Sequence, residues 1–233
     1  MKRDQLSSTK PVEKEFYQLS AKWYTISTCF SDWLEMIVST FIWAVNRDEE
    51  SIKIITELNT KYWEDYIYFS NAFDSLVEIM EVERDDYLWE FYMRFITWWE
   101  NWQYFTPTHI SDLMWQLGWE VDPWKSVLDM CCGSGRMLLW AMKVNRDRYY
   151  TWQDLDRRCC LMCVINLFLN GLNGEVYRWN SLALKKEEWR RFNFRFWIPY
   201  ICKIWEEELT NKKEEAIEEE IADSLLPQEV SLF

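Results

Sequence analysis

At 233 residues the chain has room for one large domain, or for one domain with a helical extension. Hydrophobic residues make up 49% and charged residues 28%, which is the balance of a globular protein and not of a disordered one. The net charge of −13 argues against unaided binding to a phosphate backbone, an affinity that rests on Lys and Arg; a basic partner or one locally basic face would be needed.

No run of about 18 uncharged apolar residues occurs, so no membrane span is expected. The opening stretch "MKRDQLSSTKPVEKEF" is polar and lacks an apolar signal core, and the expected compartment is the cytoplasm. The seven cysteines, with adjacent pairs at Cys131-Cys132 and Cys159-Cys160, do not resemble a secreted disulfide framework. The C-x-x-C inside "CCLMC" (159–163) has no second pair at zinc spacing, and buried structural thiols are its simpler reading. His109 is the only histidine, which excludes chemistry built on paired histidines; no metal site is expected.

In chain order, residues 1–14 read as a polar arm. Residues 15–103 carry apolar side chains at spacings of three and four, as in "SDWLEMIVSTFIWAV" and "DYLWEFYMRFITWWENW", and predict a bundle of four or five helices. The dense aromatics there belong to the bundle core, with a protein-partner surface as the alternative. At "YFTPTHISDLMWQLGW" (104–119) Thr106 can cap a helix with Pro107 at its first position, and Gly118 can close it. "SVLDM" then reads as a strand and 136–144 as a helix. "YYTWQDL" is a second strand, "RRCCLMCVINLFLNG" a helix ended by Asn170-Gly171, "EVYRW" a third strand and "RFNFRFWIPY" a candidate fourth. This alternation predicts βαβ units and a parallel sheet over 104–203. The acidic stretch 204–233 reads as a solvated helix or tail.

The most informative stretch is "VLDMCCGSGRMLL" (127–139): a strand ending in Asp129, a Gly133-Ser134-Gly135 turn, then a helical pattern. Ligands of open parallel sheets bind beyond the carboxyl ends of the strands. A nucleoside triphosphate would require a Lys after the second Gly, and none is there. A dinucleotide would want a third small residue at 138, which is Leu, and its pyrophosphate would lie near Asp129. S-adenosylmethionine carries a sulfonium and an ammonium and has no phosphate, so an acid suits it. Asp154, after the second strand, is placed for the ribose hydroxyls and Asn180, after the third, for the adenine edge. The alternative is an ordinary α/β turn with solvated acids.

"YFTP" (104–107), "VLDMCCGSGRMLL", "QDLD" (153–156) and "NSL" (180–182) together resemble the adenine-specific DNA methyltransferases. The group most resembled is the modification subunit of type I restriction systems and its small plasmid- or phage-borne relatives. The resemblance implies a Rossmann-like S-adenosylmethionine-dependent fold and methyl transfer to adenine in DNA, with a separate specificity subunit as partner. It implies Phe105 and Thr106 at the cofactor's methionine end, Asp129, Gly133 and Gly135 in the cofactor loop, Asp154 at the ribose and Asn180 at the adenine. The family's catalytic Asn/Asp-Pro-Pro-Tyr/Phe is matched only by "WIPY" (197–200), so Pro199 and Tyr200 are the catalytic candidates. Trp197 stands where the Asn or Asp should be and offers no acceptor. Too few residues follow Tyr200 for the family's last strands, and an incomplete sheet is expected. The rivals to an active enzyme are a catalytically inactive cofactor-binding subunit and a helical interaction protein.

There are 17 Trp and 5 Gly, where Gly alone usually makes up roughly 7% of residues. Trp89, Trp102, Trp124, Trp152 and Trp179 stand where the resembled family has Gly. This pattern fits UGA codons decoded as Trp in a gene whose source reads them as Gly. Taken as true Trp, Trp152 and Trp179 are expected to crowd the cofactor cleft.

Overall fold

The computed structural model describes residues 9–96, 106, 110, 113, 127–137, 139, 150–172 and 174–180 in full, and the backbone alone of 185–195 and 198–203. Five α-helices come first among them: α1 (Lys10–Ala21), α2 (Ile26–Asn46), α3 (Glu49–Tyr62), α4 (Tyr66–Val82) and α5 (Tyr87–Phe95). α1 begins earlier than expected. Pro11 sits in its first turn, where a missing N–H costs nothing, and Val12 and Glu13 are buried, so residues 10–14 are helix and not arm. Thr25, Asp48 and Asp86 cap α2, α3 and α5, each side chain accepting from a backbone N–H three residues on.

The aromatic periodicity becomes the bundle core. Phe16 and Phe30 both pack on Phe91, with ring centroids 4.6 and 5.0 Å away, and Trp33 Nε1 donates to the Phe69 carbonyl at 3.0 Å. Such rings each bury a large apolar area, and Trp33 has a polar atom that must be satisfied in the interior, as it is here.

β1 (Val127–Asp129), β2 (Tyr150–Asp154) and β3 (Gly174–Asn180) are parallel, with Asp129 opposite Trp152 and Trp152 opposite Val176. Between β2 and β3 runs α6 (Arg157–Asn170), capped by Asp156 and closed by Gly171 at φ 67°. Every residue from Cys159 to Leu167 is buried, because α6 is covered on both sides. One side packs on β2 and β3. The other meets the bundle: Phe168 stacks on Phe41 of α2 at 3.8 Å, Arg157 pairs with Glu35, and Tyr92 donates to Asp156 at 3.3 Å. Helices and sheet thus share one core within the unit Met1–Cys202.

The sheet is not wholly parallel. The expected fourth strand is two, β4 (Lys185–Arg195) and β5 (Ile198–Lys203), in the order β1-β2-β3-β4-β5, and β4 runs antiparallel to β3. The reason lies in the connection. Residues 181–184 are too few for a crossover, which takes a dozen or more, so the chain turns back on its neighbour. The helix expected over 136–144 begins at Arg136, with Met137 and Leu139 helical and its remainder outside the described residues. Ile110 and Leu113 are helical in the 104–119 segment, while Gly118 and the stretch 204–233 lie outside the described residues. Among the described residues no helix is long and apolar enough to cross a membrane.

The tryptophans divide in an unexpected way. Trp102 and Trp124 lie outside the described residues. Trp89, Trp152 and Trp179 have ordinary negative φ, so none of these three fills a left-handed glycine position. Trp152 does not crowd the cleft: it is 0% exposed, and a Cβ on Gly174 would stand 2.1 Å from its ring, so Gly174 makes the room it occupies. The left-handed tryptophans are Trp23 (φ 75°), just past α1, and Trp63 (φ 45°, ψ −119°), just past α3. Both are positions where helices commonly end in Gly, and the Trp63 pair of angles belongs to the glycine-dominated first position of a type II′ turn. Their side chains are 97% and 76% exposed, so packing does not compensate the strain. Trp63→Gly is therefore expected to stabilise the protein by about 1 kcal/mol in urea unfolding, and a loss of stability would contradict the strain. The coding DNA is expected to read UGA at 89, 102, 124, 152 and 179, and also at 23 and 63; UGG at the first five would remove the misdecoding idea.

Candidate cofactor-binding site

β1 delivers Asp129 to its carboxyl end, and the backbone must then reverse into the helix starting at Arg136. Gly133 and Gly135 make this possible at φ 55° and 85°. The Cys131 N–H donates to Asp129 Oδ1 at 3.1 Å, the Cys132 N–H to the Gln153 carbonyl at 2.9 Å, and the Gly135 N–H to the Cys132 carbonyl at 2.9 Å. Gly135 also lies hard against α6: a Cβ there would be 2.8 Å from Cys163 Sγ. A side chain at 135 would meet both the wrong φ and a filled space.

Asp154 reaches across from β2. Its Oδ2 accepts from the Gly133 N–H at 2.8 Å and its Oδ1 from the Asp156 N–H at 2.9 Å. Burial pushes the Asp154 carboxyl up from its ordinary value, the Asp156 and Gly133 N–H groups pull it back, and the charge of Asp156 raises it further. Burial likewise pushes Asp129 up, opposed by the Cys131 N–H. The exposed Cys131 thiol is raised by burial and then by Asp154 and Asp129, so both carboxylates act on one patch of the turn.

The turn is held from beneath by residues that sequence reasoning did not single out. Asp86, at the start of α5, has a side chain with 0% exposure. It accepts from Ser134 Oγ, from Asn166 Nδ2 at 2.8 Å and from the Trp89 N–H at 3.1 Å. Arg136 Nε lies 3.6 Å from its Oδ2, and Arg136 also donates to the Asp86 carbonyl at 3.2 Å. The Arg136 guanidinium stacks on Trp89 at 3.6 Å. Asn166 donates as well to the Ser134 carbonyl at 3.0 Å. Burial raises the Asp86 carboxyl, and Arg136, Ser134, Asn166 and the Trp89 N–H oppose it in that order. Two signals were available: Asn166 is the one amide inside an otherwise apolar buried run, and Asp86 is an acid three residues ahead of Trp89 at a helix start.

The structure brings Asp129, Gly133, Gly135 and Asp154 together at one turn. Asn180 ends β3, two residues past Arg178, the partner of Asp154, and is half-buried. Thr106 is half-buried, and Phe105 lies outside the described residues. Pro199 and Tyr200 are not brought to the turn. They lie in β5, four strand positions from β1, about 19 Å at ordinary strand spacing, and their side chains lie outside the described residues. Among the described residues no group of His, Cys, Asp or Glu is arranged to hold a metal ion.

The N-6 DNA methylase family model matches residues 88–225, more than half of the chain, and the chain belongs to this family. The match begins at the start of α5 and takes in the glycine turn, α6 and the whole sheet. Comparison with curated proteins and with solved structures gives no match.

Asp129 has a folded-state pKa above the ordinary aspartate value of 3.8, so it holds its proton more tightly folded than unfolded. Its ionisation costs stability, and that cost appears as the pH rises from 3.8 through the raised value and is full above it. Asp129→Asn is accordingly expected to raise the melting temperature at pH 7, with the gain shrinking as the pH falls toward 4. A lower melting temperature for the variant at pH 7 would contradict the assignment.

Proposed function

We propose that this chain is an S-adenosylmethionine-dependent DNA methyltransferase, acting on N6 of adenine as part of, or related to, a restriction-modification system. The observation that carries the reading is the charge of the glycine turn. Its half-buried acids are Asp129 and Asp154, whereas the basic side chain of the segment, Arg136, is buried against Asp86. A phosphate would meet repulsion there, and a ligand carrying a sulfonium and an ammonium meets attraction.

The residues present fit that cofactor. Asp129 would face its ammonium. The Asp154 carboxylate accepts the Gly133 and Asp156 N–H groups and keeps lone pairs for a ribose hydroxyl. Gly133 and Gly135 put no side chain between backbone and ligand. Asn180 would meet the adenine edge, with Phe105 and Thr106 at the methionine end. When bound, the cofactor supplies an electrophilic methyl group. The protein's part is to hold donor and amine in line, since the sulfonium is already reactive. The target adenine has to leave the duplex to be reached. With a net charge of −13, the chain would gain its DNA through a separate basic specificity subunit.

A second reading, a cofactor-binding subunit without its own catalysis, is favoured by the position of Pro199 and Tyr200 in β5 and by Trp197 and Ile198 ahead of them. Calorimetry is expected to show S-adenosylmethionine binding that weakens at least about tenfold in Asp129→Ala, with no binding of ATP. Tritiated-methyl transfer to unmodified DNA, with and without the specificity partner, separates the two readings. Label in adenine supports the enzyme; cofactor binding without transfer under both conditions supports the non-catalytic subunit.

A further inference from the structure

We infer that Asp86, a residue of the helical region, is a positioning residue that sets the shape of the glycine turn and with it the affinity of the cofactor site; the affinity part rests on the S-adenosylmethionine reading. Ser134 is the middle residue of the Gly-Ser-Gly turn and is itself 0% exposed, so its side chain points away from any ligand on the turn. Its hydroxyl donates to Asp86 Oδ2, and its carbonyl accepts from Asn166, which donates also to Asp86 Oδ1 at 2.8 Å. Both polar ends of the turn's central residue are thereby fixed by one carboxylate and one amide. Arg136, directly after the turn, is held by both the carboxylate and the carbonyl of Asp86.

The φ values of 55° and 85° that flank Ser134 are open to Gly in more than one turn geometry, and nothing in the glycines selects among them. The selection comes from the anchors at 134 and 136. A turn released from Asp86 would move the Gly133 N–H off Asp154, and the two ligand-facing acids would lose their common frame. Asp86 touches no ligand in this account and acts through Ser134 and Arg136.

Ser134→Ala tests this with little threat to folding, since it removes one hydroxyl and leaves the Asp86–Arg136 pair. Hydrogen exchange at the Gly133 and Gly135 amides is expected to accelerate at least about tenfold beyond any change in the rest of the chain, with a melting temperature lower by about 3–10 °C. S-adenosylmethionine should bind about tenfold more weakly to the variant, and Asp86→Asn should weaken it further. Unchanged exchange at 133–135 together with unchanged affinity would overturn the inference, as would acceleration spread evenly over the chain, the signature of a merely structural bond. If the parent protein binds no S-adenosylmethionine, the cofactor reading fails by itself. The exchange rates at 133–135 then still decide whether Asp86 holds the turn: faster supports it, unchanged overturns it.

Discussion

A carboxylate shut away from water has to be surrounded by donors, and the structure around Asp86 is organised by that requirement. Taking an ion out of water costs several kcal/mol even after relaxation, and the loss is recovered only where geometry and hydrogen bonding are complete. Here the donors come from three places in the chain: the first turn of α5, the glycine turn after β1, and the middle of α6. Elements far apart in sequence are thus committed to one point. Removing a partner from such a pair leaves a buried charge uncompensated, at a cost of about 3–5 kcal/mol. The helical region is for this reason part of the site and not an appendage to it.

The same economy governs the glycines. Of five in the chain, Gly133, Gly135 and Gly171 sit at positive φ, and Gly174 leaves the space that Trp152 fills. None of these four stands at the ends of α1, α2 and α3, where Trp23, Arg47 and Trp63 in turn adopt positive φ. The protein keeps glycine where the turn, the α6 cap and the β2–β3 contact need it, and carries strain at the exposed helix ends. Trp63, with angles that only glycine adopts readily, is the clearest case.

Much of this was legible in the sequence, and the parts that were not share a cause. Periodicity identified the bundle, the three parallel strands and α6, because burial of one face or of all faces writes itself directly into residue spacing. The Asp129–Gly135 turn was legible because acid and glycines at strand ends have few other uses. The antiparallel course of β4 follows from the short 181–184 connection, a feature of chain length that composition does not carry. The early start of α1 was hidden by its polar residues, of which Glu13 is buried and paired with Arg94. The joining of Asp86, Ser134, Arg136 and Asn166 was not legible because a polar network of long sequence separation has only isolated local signals, Asn166 in its apolar run and Asp86 at a helix start, and nothing in the spacing says that they meet. Pro199 and Tyr200 share only two letters with the family's catalytic segment, and strand order sets them at the opposite edge of the sheet from β1.

The chain turns Arg136, the cation directly after the turn, inward to Asp86 and leaves two partly buried acids, both raised by desolvation, at the glycine turn. Such an arrangement costs the free protein stability, and a cationic ligand would return it. A crystal structure grown with S-adenosylmethionine and ATP both present measures this most directly. The account predicts S-adenosylmethionine on the turn, its ammonium within hydrogen-bond distance of Asp129 and Ser134 still bonded to Asp86; a nucleotide phosphate on Gly133–Gly135, or an empty turn, would contradict it.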